Sequence, residues 1–128
     1  MGAVKNHKDL LVWQRSVELA SRIYLATGRF PEVERLGLSL QMRQSALAAA
    51  ASIADGAGRA VRAEYIRFLD RARGSLAELE TQVHIAGNLQ LIQEHPRLHE
   101  EVAEVRRLLI ALIRKLREER VSGIGIKS

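Results

Sequence analysis

No cysteine occurs in the 128 residues, which excludes disulfides, thiolate metal sites and cysteine nucleophiles. The absence also suits a reducing cytoplasm. Aromatic residues make up only 4%, so the core has to be aliphatic. No apolar run approaches the length of a membrane span, and the N-terminal MGAVKNHKDL lacks the apolar stretch of a signal peptide. A cytoplasmic protein of one domain, with no membrane partner, is the expectation from these totals.

Enzyme motifs are missing too. A di-iron bundle needs Glu-x-x-His on two helices, and no glutamate here stands three residues before a histidine. Small helical ribonucleases of the HEPN kind place an arginine four to six residues before a histidine, and that pair is absent. The stretch GAGR, Gly56 to Arg59, is too short for a phosphate loop and follows a helical pattern rather than a strand. His95 and His99 stand four apart, as a metal pair would, but His95 precedes Pro96 and is expected outside the helix. His84 reads as a packed or surface histidine. The chain is therefore read as a non-enzyme, with no catalytic residue, cofactor or metal ligand.

What is present in quantity is arginine. Sixteen arginines stand against four lysines, the net charge is +5, and the pI is near 10.2. This balance favours an anionic partner such as nucleic acid or an acidic protein surface. An arginine-preferring genome would produce the same totals, and net charge alone does not separate the two.

Four segments carry helical periodicity, and none alternates as a half-buried strand does. The first runs Leu10, Trp13, Val17, Ala20, Tyr24; the second Leu36, Leu40, Leu47, Ala50, Ala54. The third, and the cleanest, is Tyr65, Leu69, Ala72, Leu76, Leu79, Val83, Ala86; the fourth is Leu98, Val102, Val105, Leu109, Leu112, Leu116. Short breaks at GRFPEVER, GAGRAVRA and QEHP separate them, with Gly56 or Gly58 expected to close the second helix in the left-handed conformation. The spacing predicts an all-α, up-and-down antiparallel four-helix bundle, left-handed, with helices over about 9–27, 36–56, 63–92 and 96–121. It forms a single domain over 1–121, and residues 122–128 are expected to be a flexible tail. In the fourth helix Glu94, Glu100, Glu101 and Glu104 precede Arg114, Lys115, Arg117 and Arg120, an order that complements the macrodipole.

The stretch AAAASIADGAGR, Ala48 to Arg59, suits a helix that neighbouring backbones approach closely. That helix is apolar on two sides: Met42, Ala46, Ala49 and Ile53 lie opposite Leu40, Leu47 and Ala54. The first helix repeats this with Val12, Leu19, Ile23 and Ala26, and the third ends on Ile85, Leu89 and Ile92. One bundle has one core, so Val12, Leu19, Ile23, Met42, Ile53, Ile85 and Leu89 are the expected interface of a homo-oligomer. Cover by loops and tail is the alternative. Asp55 is expected to accept hydrogen bonds from backbone or arginine and to fix the turn into the third helix, with Ser75 and Glu78 in the same buried polar set.

Arg59, Arg62, Arg67, Arg71 and Arg73 cluster around the start of the third helix, against only Glu64 and Asp70, and are the candidate nucleic-acid-binding residues. Ion pairing of Arg67 and Arg71 with acids one turn away is the competing explanation. No recognition-helix motif or aromatic platform suggests base-specific readout.

The segments LLVWQRSVELASRIY, GRFP, ERLGLSLQMRQSALAAAASIADGAGR and EYIRFLDRARGSLAELETQVHIAGNL, in this order, resemble the four-helix-bundle family of ribosomal RNA intervening-sequence proteins over roughly residues 9 to 92. Departures from the usual pattern include Ser52 and Asp55 in SIADG, Gln44 where arginine is common, and Ala57 where a bulky residue is common. The resemblance implies an up-and-down bundle assembling as a ring-like pentamer. A related branch, accessory proteins of diversity-generating retroelements, implies binding of nucleic acid and a reverse transcriptase through a basic surface. Two functions follow as expectations: an oligomeric, non-catalytic adaptor binding RNA or DNA, or a protein-interaction scaffold without nucleic acid.

Overall fold

The computed structural model describes residues 7–93 and 95–127, and side chains within 7–93 and 96–119. Helix α1 spans Leu11–Thr27, α2 Leu38–Ala57, α3 Arg62–Asn88 and α4 His95–Lys127. Short 3-10 turns precede α1 at His7–Asp9 and α2 at Glu32–Glu34, and no strand occurs among the described residues. Each helix packs on the next and α4 returns to α1, the neighbour pattern of an up-and-down bundle.

α4 continues through Gly123 and Gly125 to Lys127, where a tail from residue 122 had been expected. Glycine weakens a helix but keeps the backbone donor that proline lacks, so two glycines do not enforce a stop. The extra length moves Arg114, Lys115 and Arg117 out of the last turn, so the macrodipole does not account for them. His95 begins α4 and is not outside it. Residues 1–6, Glu94 and the side chains of His95 and Arg120 lie outside what is described.

The core corrects the reading of the helix faces. Ile23, Met42 and Ile53 are fully buried within this one chain, and Val12 and Leu19 nearly so. Five of the seven residues assigned to a subunit interface are therefore core, each contributing about 1.5–3 kcal/mol. Only Ile85 and Leu89 are exposed. The stripes read as core on α1 and α2 instead reach solvent at Val17, Tyr24, Leu36 and Leu47, with Leu40 and Ala54 half-buried. Gly56 brings the end of α2 against Tyr65 and Phe68 of α3, and the side of α2 that it shares with Met42, Ala46, Ala49 and Ile53 is the one buried. On α3 the predicted stripe holds from Leu69 to Ala86, all buried, with Tyr65 packed against it.

Two junctions fix the helix ends. α3 closes in a Schellman arrangement, with Leu91 N–H donating to Ala86 O at 2.9 Å and Gln90 N–H to Gly87 O at 3.0 Å. Gln90, at φ 60°, takes the left-handed position that glycine usually fills. α1 and α4 meet over the smallest of the four helix interfaces. Charge bridges that seam: Arg22 Nε lies 2.7 Å from Glu101 and Arg15 Nε 3.5 Å from Glu104.

Candidate nucleic-acid interface

The turn from α2 into α3 is built around Gly56. A Cβ there would stand 2.8 Å from Phe68 Cβ and 3.2 Å from both Tyr65 Cδ1 and Tyr65 O. The glycine thus serves close approach. The left-handed closure expected of Gly56 or Gly58 does not occur, since no described glycine has positive φ and Gly58 sits at φ −85°. Burial against this turn pushes the Tyr65 phenol above its usual pKa.

Phe68 sits where α2 and α3 come together, and three guanidinium groups converge on its ring. Their carbons lie 4.4 Å (Arg59), 4.9 Å (Arg71) and 5.3 Å (Arg67) from the ring centroid. All three are within cation–π range, where each contact contributes about 0.5–1 kcal/mol at an exposed site. Arg59 comes from the turn, whereas Arg67 and Arg71 come from one face of α3, a single turn apart.

Asp55 binds Arg59 Nη2 at 3.2 Å, so the expected arginine partner is present. The wider polar set is not formed: Asp55 and Glu78 are exposed, Ser75 is half-buried, and no hydrogen bond joins them among the described residues. Asp55 lies beside the start of α3, more than two turns short of Ser75, which explains the separation.

The competing ion-pair explanation fails for Arg67 and Arg71. Asp70 instead holds Arg73 at 2.9 Å and Arg117 of α4 at 3.3 Å. Arg73 thus shares one carboxylate with Arg117, while Arg62, Arg67 and Arg71 make no ion pair among the described residues. Arg62 opens α3, where the positive end of the macrodipole disfavours a cation, so helix stability gives no reason for it.

The Arg117–Asp70 contact also marks the α3–α4 register. That register brings the exposed Arg114 and Lys115 to the same end of the bundle as the Phe68 cluster. The charge order along the sequence alone ties these residues to the macrodipole. Antiparallel packing of two segments, one basic early and the other basic late, was the signal that could have joined them.

The opposite part of the α3–α4 wall carries His84 and His99, edge to face with centroids 5.4 Å apart. No group of three potential metal ligands gathers among the described residues. No helix among them is long and apolar enough to cross a membrane.

A four-helix bundle whose α2–α3 turn gathers three arginines around one ring is the class these features define. Residues 8–111 match the family described as 23S rRNA-intervening sequence protein, and the chain belongs to that family. Among solved structures it is similar to a protein of unknown function from the S23 ribosomal protein family of Bacteroides thetaiotaomicron. The two share 24% identity over 80% of this chain and 98% of that one, with a TM-score of 0.74, a likeness of fold. Among curated proteins none matches.

Proposed function

We propose that the protein is a non-catalytic, homo-oligomeric helical bundle that binds RNA or DNA through the arginine-rich end described above. The observation that carries this reading is the convergence of Arg59, Arg67 and Arg71 on Phe68 with a single carboxylate, Asp55, to offset them. Arg62, Arg114 and Lys115 are further exposed cations in this half of the bundle. The family's name, which ties it to intervening sequences of 23S rRNA, is in keeping with a nucleic-acid partner. Self-association rests on the apolar residues left in solvent, chiefly Tyr24, Leu47, Ile85 and Leu89. A ring of copies would repeat the basic end and multiply its phosphate contacts.

Fluorescence anisotropy with labelled single- and double-stranded RNA and DNA, at low and moderate salt, tests the reading. Binding should weaken steeply with salt and depend little on sequence. Replacing both Arg67 and Arg71 with alanine removes two phosphate contacts, so the slope of log K against log salt should fall by about 1.4–1.8. No binding at low salt, or a double variant indistinguishable from the parent, defeats the proposal. The first of those results would favour a protein-interaction scaffold using the exposed apolar surface, and a reverse transcriptase or another protein would then be the partner to seek.

A further inference from the structure

We infer that Phe68 is a positioning residue, its ring holding Arg59, Arg67 and Arg71 as a pre-formed three-pronged clamp for the phosphate backbone of a nucleic-acid strand. This rests on the nucleic-acid binding proposed above and goes further, naming the part of the ligand met and what orders the site.

Three like charges do not gather without a cause. Their distances to one centroid place all three guanidinium carbons within about 10 Å of one another, roughly a Debye length at 0.1 M salt, so they repel. Asp55 reaches only Arg59. The negative π-surface of Phe68 supplies the remaining attraction. The ring is itself fixed, because its Cβ is pressed against Gly56 where no side chain intervenes.

The same geometry says what the ring is not for. Phe68 is 6% exposed, and a stacking platform for bases has to be open. Its face is taken up by guanidinium groups instead. An arginine free in solvent surrenders rotamer freedom when it grips a phosphate; one already stacked on a ring has surrendered part of it beforehand.

The test uses the full chain, with Phe68→Leu and Phe68→Tyr compared by salt-titrated anisotropy on a labelled single-stranded RNA. Circular dichroism checks that each variant is folded. Phe68→Leu keeps every charge but removes the π-surface, so affinity should fall about three- to ten-fold while the salt slope stays at the parental value. Phe68→Tyr, which restores a ring, should bind within about two-fold of the parent. Parental affinity in Phe68→Leu overturns the inference. So does an equal loss in Phe68→Tyr, or a reduced salt slope in Phe68→Leu, since either makes the effect one of packing. A parent protein that binds no nucleic acid at all is a different failure, and it removes the proposed function itself.

Discussion

Two glycines inside helices should respond to alanine with opposite signs. Gly56 and Gly74 both give up the roughly 0.5–1 kcal/mol by which alanine exceeds glycine within a helix. At Gly74, in the middle of α3, an added Cβ meets nothing within 4 Å, so Gly74→Ala should collect that gain in full. At Gly56 the new methyl would stand 2.8 Å from Phe68 Cβ and 3.2 Å from the Tyr65 carbonyl oxygen. Neither is the tip of a flexible side chain, so α2 and α3 have to move apart. Overpacking of this kind costs about 1–3 kcal/mol, which outweighs the helix-propensity gain and leaves a net loss of about 1–2 kcal/mol. At about 3–5 °C per kcal/mol for a domain this size, Tm should drop by about 3–10 °C in Gly56→Ala and rise by about 2–5 °C in Gly74→Ala. Thermal melts followed by circular dichroism read both. A Gly56→Ala protein melting at or above the parent would refute the close-approach account of this turn.

Gln90→Gly should raise Tm by about 2–4 °C, since glycine adopts the left-handed position at the end of α3 without the steric penalty borne by Gln90 (φ 60°). The raised pKa of Tyr65 means the folded state holds that phenolic proton more tightly than the unfolded chain does. Its contribution is complete below about pH 10 and is lost as pH climbs through the folded pKa, so Tyr65→Phe should flatten the decline of Tm in alkaline titration. Leu47→Lys should abolish self-association in light scattering while leaving Tm within a few degrees; an unchanged particle mass would clear this surface of the role. Ile23→Ala, by contrast, should cost about 2–4 kcal/mol in urea unfolding, because that side chain is sealed inside one chain.

Periodicity was enough to place four helices and the buried stripe of α3, because from Leu69 to Leu79 the residues between the apolar ones are charged or small. It failed on α1 and α2 for a physical reason. Both are apolar front and back, and hydrophobicity then says nothing about which side turns inward. On α2 the side that turns inward is the one that carries Gly56, which lies against Phe68 and Tyr65 of α3, and Leu47 is left outside. The arginine cluster was visible as composition, and the spacing of Phe68 and Arg71 could have suggested a one-turn contact. Arg59 could not be placed on that ring from any helical period, since it arrives from the turn. Nor could Asp70 be taken from Arg67 and Arg71, because its second partner, Arg117, belongs to a helix 47 residues away.

The seam between α1 and α4 makes dissolved ions act on this molecule in two places at once. A concentrated salt wash, the ordinary way to strip bound polyanion from a basic protein, also screens Arg22 from Glu101 and Arg15 from Glu104. Each pair is partly exposed and contributes at most about 1 kcal/mol, so the wash weakens this wall without opening it, because Val12, Leu19 and Ile23 stay buried.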